Sequence, residues 1–484
     1  MLDPVLECLR CGERFAFTRL IPVCPKCGHD LLEIRYDYAA LAEELPALLR
    51  ERPFNMWRYR ELLPTRHTAN IVSMGEGGTP LIEANNLATM LGHDNIFIKD
   101  ERQGPTGSFK DRQAALAISA MKEAGTLEAV VASTGNVAIS YSAYSARAGI
   151  KLWAFLTSLV PADKMREVAL YGTEVVKVTG TYDQAKEVAA AFAEHRGLYM
   201  DRGIRSIASR QSMKTLAYEV CEQLGWLKDG WGKFHAPDWY VQAVSGGTGP
   251  LGAWRGFEEL YQMGFIDRLP KIAVIQAEGC APMVSAFKAG RTETDIVSQP
   301  NTHIATLATG NPGIAYTQLR QIILEHGGCM ESVTDDESFR AMHVMAKMDG
   351  ISIEPATAAA FAGLFKLIGL QVIKRAEIVV VNCSGHTFPV EKELLGDDWM
   401  RNFELPQITS ETTPAIPVSN VPQEGLLSAL ELLDDHMRDI LIIDDTPEAV
   451  VLLRRILQAH GAFAVREANS GRVGLEMARA ATPD

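Results

Sequence analysis

Residues 104–125 read GPTGSFKDRQAALAISAMKEAG. A Gly-Pro-Thr-Gly turn runs into a segment where Ala115, Leu116, Ile118 and Met121 have the spacing of one helix face. Lys110 therefore falls in the first turn of a helix, with Ser108 or Thr106 available to cap it. The positive end of a helix dipole disfavours an ammonium there, and burial acts in the same direction. Both favour the neutral amine that attacks a carbonyl carbon to form a Schiff base. An exposed helix lysine is the plainer explanation on position alone, so the meaning of Lys110 rests on the rest of the chain.

Around this stretch, strand-like apolar runs alternate with helical patterns. The runs are NIFIKD (95–100), AVVAS (129–133), LWAFLT (152–157), EVVKV (174–178), WYVQAV (239–244), KIAVIQAE (271–278) and EIVVVNCS (377–384). Alternation of this kind implies an α/β fold with largely parallel sheets. The span 67–405, roughly 340 residues, is long for one sheet, so two α/β subdomains around a cleft are expected.

Three more stretches share a pattern of strand, turn and helix. VVASTGNVAISYSAYSARAG (130–149) offers first-turn N–H groups and the hydroxyls of Ser133 and Thr134 as a pocket for a substrate carboxylate. Asn136 adds an amide for a ring oxygen. YVQAVSGGTGPLGAWRGF (240–257) presents the backbone of Ser245, Gly246, Gly247, Thr248 and Gly249 as a phosphate cradle. It is neither a Walker motif nor G-x-G-x-x-G, so it does not imply a nucleotide. IVVVNCSGHTF (378–388) ends a strand at Ser384, whose hydroxyl suits a ring nitrogen. Each turn alone is common. A lysine, a phosphate cradle, a carboxylate pocket and a hydroxyl for a ring nitrogen together fit pyridoxal phosphate.

The motifs PTGSFKDR, STGN, SGGTG, GISIEPATAAAFAGL and SGHT closely resemble those of the second fold type of pyridoxal-phosphate enzymes. Their order and spacing are most similar to threonine synthase and its relatives, as is GEGGTPL at Gly75. The resemblance implies that Lys110 carries the cofactor, that Asn136 meets the ring hydroxyl, that Ser245–Gly249 holds the phosphate and that Ser384 meets the pyridine nitrogen. It also implies an amino-acid substrate, O-phosphohomoserine, converted with water to threonine and phosphate by γ-elimination and β-addition, and a homodimer. Two positions depart from the family. Val137 stands where a Thr is usual. With Lys214-Thr215 in the family's register, Ser209 stands where an arginine is expected. Arg210 is adjacent and Arg205 near, so Arg210 and Lys214 are the candidate partners of the substrate phosphate. A phosphoserine-using relative such as cysteate synthase, a hydroxyamino-acid dehydratase and a non-catalytic regulatory module remain the alternatives.

The 484 residues carry eight cysteines. Cys221, Cys280, Cys329 and Cys383 stand singly and read as small core residues. Cys8, Cys11, Cys24 and Cys27 form two C-x2-C pairs twelve residues apart, the pattern of a closed, structural zinc site. Residues 1–35 therefore read as a zinc ribbon, and 36–66 as a helical connector. Residues 406–437, rich in proline near their start, read as a linker. Residues 438–484 give two strands and two helices in alternation and resemble the first half of a response-regulator receiver domain. Asp444 and Asp445 fall where that family holds Mg²⁺. The sequence stops before the strand expected to carry the acceptor aspartate, so no phosphorelay is expected.

The net charge of −13 argues against nucleic acid as a partner. No apolar run approaches the ~20 residues that span a bilayer, and the N-terminus has no secretory pattern. A cytoplasmic protein is expected, with no membrane association.

Overall fold

Continuous apolar runs fold as strands buried on both faces, which is what parallel sheets require. The computed structural model describes residues 4–17, 23–157, 160–386, 439–460 and 463–483. These fall into two units, Met1–Trp399 and Met400–Asp484. The linker expected at 406–437 lies outside the described residues.

Among the described residues, the first unit contains three sheets. The largest has six strands in the order Gly328–Val333, Lys271–Ala277, Trp239–Ala243, Val379–Cys383, Ile96–Asp100 and Leu81–Glu83. All its pairings are parallel except that of Leu81–Glu83 with Ile96–Asp100. Successive residues of its central strands serve opposite faces, as a period of two dictates. Tyr240 and Val380 enter one apolar cluster, and Val241, Val379 and Val381 enter the other. Each such side chain contributes about 1.5–3 kcal/mol by leaving water.

The second sheet is parallel throughout, in the order Glu174–Val178, Lys151–Thr157, Glu128–Ser133 and Tyr199–Asp201. All seven strand-like runs of the sequence lie in these two sheets. The third sheet is antiparallel, Arg14–Ala16, Val5–Cys8 and Leu32–Arg35, and carries the paired cysteines at its turns. Helix Tyr38–Glu51 follows, capped by Asp37, whose carboxylate accepts from the Ala40 N–H at 3.1 Å. Its Leu41, Leu45 and Leu49 recur every fourth residue and are buried in the main core.

A buried ionic network fastens the Lys110 helix, Lys110–Glu123, to its surroundings. Arg112 forks onto Glu101 (2.7 Å to each oxygen) and onto Glu219 (2.6 and 2.7 Å). Lys99 also reaches Glu219, at 2.7 Å. Burial alone would raise the Glu219 carboxyl, but Arg112 and Lys99 hold it well below its ordinary value. Removing one partner of such a network costs about 3–5 kcal/mol, because a buried charge is left unpaired.

The second unit pairs Asp439–Ile443 with Ala464–Ala468 in parallel. Helices Pro447–His460 and Gly471–Ala480 follow the two strands, and Ile442, Val450 and Leu457 form a small core. Among the described residues, no helix is long and apolar enough to cross a membrane.

Candidate active site

The chemistry-bearing turns all follow the carboxyl ends of parallel strands, where open α/β sheets bind ligands. The Lys110 segment follows Ile96–Asp100, the Thr134 turn follows Glu128–Ser133, the Ser245 loop follows Trp239–Ala243 and Ser384 follows Val379–Cys383. Three of these strands are neighbours in the large sheet. The backbone joins two of the segments directly, since Phe109 N–H donates to the Ser384 carbonyl at 2.9 Å.

A cavity of about 540 Å³ is lined by Lys110, Thr134, Asn136, Ser245, Gly246, Gly247, Thr248, Gly249 and Ser384. Lys110 is the first residue of its helix, and its backbone N–H is 3.4 Å from the Ser108 hydroxyl. Thr106 instead bonds the Asp111 carboxylate, at 2.6 Å. The Lys110 amine lies 4.2 Å from the centre of the Phe109 ring and 3.4 Å from Gln113 Oε1. Burial pushes it down from 10.5 to about 8, against the opposing pull of Glu354 and Asp201. Its neutral fraction near physiological pH is therefore far larger than that of an ordinary lysine.

Gly247 sits at the start of helix Thr248–Gln262 with φ +81°, a conformation that disfavours other residues. Gly246 has open space where a side chain would project. The loop thus brings bare backbone and a helix N-terminus to the cavity, which fits a phosphate.

Glu354 is the site residue that sequence reading missed. It lines the same cavity and is buried. Asn136 Nδ2 donates to its Oε2 at 2.7 Å, and the Ser384 hydroxyl donates to its Oε1 at 3.0 Å. Thr357 Oγ1 lies 2.7 Å from Ser384 Oγ. One carboxylate therefore orients both groups assigned to the cofactor ring. Its signal was present in the quoted stretch GISIEPATAAAFAGL, as a glutamate directly before the proline that starts helix Pro355–Gly369. Asp201, at the end of strand Tyr199–Asp201, is a second missed acid in the cavity, and burial raises its carboxyl.

Three expectations are corrected. The Ser133 hydroxyl turns away from the cavity and accepts from the N–H groups of Gly135 and Ala138, both at 3.0 Å. It holds the turn, and of the two residues it is Thr134 that lines the cavity. Arg210 is buried and bonds two backbone carbonyls, Ile204 O at 2.6 Å and Leu32 O. Lys214 is fully buried and donates to Leu62 O at 2.7 Å and to Glu259 at 3.1 Å. Neither cation lines the cavity. Ser209 is buried as well, and its hydroxyl donates to the Asp201 carboxylate at 2.9 Å. Arg202, Arg205 and Lys186 do line the cavity, as does Val137.

The family model of the pyridoxal-phosphate dependent enzymes matches residues 72–385, which include every one of these turns. The chain belongs to this family. It is 37% identical to the threonine synthase of Methanocaldococcus jannaschii over 78% of this chain and 91% of that one. It is 34% identical to the threonine synthase of Methanosarcina acetivorans over 79% and 91%. Among solved structures it shares its fold with a pyridoxal 5'-phosphate-dependent aspartate racemase (TM-score 0.55, 21% identity, 65% of this chain and 92% of that one). It also shares it with threonine deaminase isoform 2 of Solanum lycopersicum (TM-score 0.52, 22% identity, 65% and 81%).

Away from the cavity, the Sγ atoms of Cys8, Cys11, Cys24 and Cys27 all lie within 4.8 Å of one another. Each pair sits in the same turn. Gly12 N–H donates to the Cys8 carbonyl and Gly28 N–H to the Cys24 carbonyl, both at 2.9 Å. Both glycines have positive φ, +70° and +69°. The other four cysteines are also free; Cys221, Cys280 and Cys383 are buried and Cys329 partly so.

Proposed function

We propose that this enzyme converts O-phospho-L-homoserine and water to L-threonine and phosphate. The observation that carries the reading is the single cavity in which a lysine of lowered basicity meets a backbone phosphate cradle, an amide and a neutral hydroxyl. The 37% identity to a threonine synthase supports the choice of substrate.

Pyridoxal phosphate, when bound, supplies a ring that spreads the negative charge developing on the substrate. Lys110 would hold its aldehyde carbon, the Ser245–Gly249 backbone its phosphate, Asn136 its ring hydroxyl and Ser384 its ring nitrogen. Ser384 is a neutral hydroxyl, so it does not enforce a protonated nitrogen. Sites of that kind favour elimination and replacement over transamination. Thr134 and the N-terminus of helix Asn136–Ala148 receive the substrate carboxylate. The Lys110 amine, once free, takes the Cα proton as general base and carries protons between Cα, Cβ and Cγ. Over the whole reaction the Cγ–O bond to phosphate breaks and the oxygen of water bonds to Cβ.

Ser209 and Val137 at the departing positions favour a second reading, an enzyme acting on O-phosphoserine or an unphosphorylated hydroxyamino acid. Product analysis separates the two. Phosphate and threonine in equal amounts from O-phospho-L-homoserine support the first reading. Phosphate from O-phospho-L-serine alone, or ammonia and a keto acid from threonine, would replace it.

The four thiols suit a structural zinc. Sulfurs bound tetrahedrally at ~2.3 Å stand about 3.8 Å apart, and two of the pairs here are at 3.6 and 3.8 Å. A homodimer, as the resemblance implies, would sediment at twice the chain mass.

A further inference from the structure

The segment 201–212 has two faces with different jobs. Asp201, Arg202, Gly203, Ile204 and Arg205 line the catalytic cavity. The helix that follows, Ile207–Ser212, touches the cysteine ribbon through Ile207, Arg210 and Gln211. Ile207 is buried in the ribbon's apolar cluster with Leu6, Phe17, Leu32 and Ile34. Gln211 Nε2 donates to Glu33. Arg210 forks between the two sides, one arm on Leu32 O of the ribbon and the other, at 2.6 Å, on Ile204 O of the cavity wall. Arg205 is held at 2.6 Å by Asp30, again from the ribbon.

These contacts share one consequence. The wall 201–205 is short: it begins at the last residue of the three-residue edge strand Tyr199–Asp201 and continues as one turn of 3₁₀ helix, Gly203–Arg205. So short a segment has little geometry of its own. Its position is fixed from outside, on one side by the parallel pairing of Tyr199–Asp201 with Glu128–Ser133 and on the other by the ribbon contacts of Arg205 and Arg210. The wall also brings two arginines to the cavity, chemistry suited to the dianionic end of a phosphorylated substrate.

We propose that the ribbon is a substrate-positioning element of the active site, and that Arg210 and Asp30 are its positioning residues. The ribbon sets where the arginine-bearing wall stands, so it governs how well the distal anion of the substrate is held. The cofactor contacts Lys110, Asn136, Ser245–Gly249 and Ser384 lie on other segments, and the wall reaches them through the charge of Asp201 on the Lys110 amine. Insofar as the substrate is O-phosphohomoserine, this inference rests on the function proposed above.

Arg210→Lys keeps the charge and loses the two-armed reach. Asp30→Asn keeps the shape and releases Arg205. In the full chain loaded with cofactor, we expect Arg210→Lys to raise KM for O-phosphohomoserine about tenfold with kcat nearly unchanged. Asp30→Asn should raise KM a few-fold, as befits a half-exposed pair. A variant that merely loses stability would lower the active fraction and leave KM alone. Amide hydrogen exchange of residues 203–207 gives a readout independent of any substrate, and should quicken in both variants while cofactor content stays at the wild-type level. Should Arg210→Lys not fold, Asp30→Asn decides by the same two measurements. Unchanged KM and unchanged exchange in folded variants would overturn the proposal. If the wild-type chain ignores O-phosphohomoserine, the function proposed above fails, and exchange alone decides this inference.

Discussion

At the residue scale, the site turns on a lysine whose charge is set by its neighbours. The Lys110 amine must be neutral to capture an aldehyde. Its attachment of pyridoxal phosphate should therefore speed up as pH rises through about 8 and level off above it. Glu354 and Asp201 favour the ammonium form, so removing either charge shifts that midpoint down. Glu354→Gln retains an acceptor for Asn136 and loses the charge. We expect a midpoint below about 8, measured by stopped-flow absorbance of the cofactor-free chain; an unchanged or higher midpoint would contradict the electrostatic account. The sequence located Lys110 because a lysine at a helix start after a glycine turn is conspicuous. It did not reveal Glu354 because the contact with Asn136 joins positions 218 apart. Arg210 and Lys214 show the converse limit. Register placed them near a phosphate, but only packing decides which way a long side chain points, and both point into the core.

At the element scale, the turn after strand Glu128–Ser133 divides its labour between two adjacent hydroxyls. Ser133 bonds the N–H groups of Gly135 and Ala138, so Ser133→Ala should cost about 1 kcal/mol of stability, read from denaturant unfolding. Thr134→Ala should leave stability alone and raise KM, since Thr134 lines the cavity. If both substitutions changed only stability, the carboxylate pocket would lie elsewhere. The ribbon is likewise a matter of two turns. Each C-x2-C pair is followed by a glycine of positive φ that closes the turn, and spacing alone made that legible. The proposed zinc, about one per chain by metal analysis, should be lost in Cys24→Ser together with the fold of the ribbon sheet; retention of stoichiometric zinc would refute the four-cysteine site. Strands Leu81–Glu83, Tyr199–Asp201 and Gly328–Val333 escaped sequence reading. Two have only three residues, and the third, GCMESV, has no apolar run to mark it. Their pairing is imposed by the neighbouring strands. Tyr199–Asp201 matters most, because it ends at the cavity wall.

At the scale of the whole molecule, catalysis is assigned entirely to the first unit, since every cavity residue lies between Phe109 and Ser384. The second unit has a parallel strand pair with two helices and only a small apolar core. Two strands seldom stand alone in water. Asp444 and Asp445 follow the first of them, and the acceptor strand expected of a receiver domain is not among the described elements. Deleting residues 406–484 should leave kcat and KM nearly unchanged; a large loss of activity, or stable labelling of the tail by acetyl phosphate, would make the tail a regulator. The architecture of the catalytic region was legible because its strands are long, apolar and end in glycine-rich turns. The joining of ribbon to cavity wall was not, because it depends on packing between segments distant in sequence. The central claim, that this cavity is built around Lys110 as the cofactor-bearing residue, is tested most directly on the full chain. It is incubated with pyridoxal phosphate, reduced with borohydride, digested and mapped by mass spectrometry. The account predicts the cofactor on the peptide containing Lys110 and its loss in Lys110→Ala. Label on Lys186, the other lysine lining the cavity, or on Lys214, would contradict it.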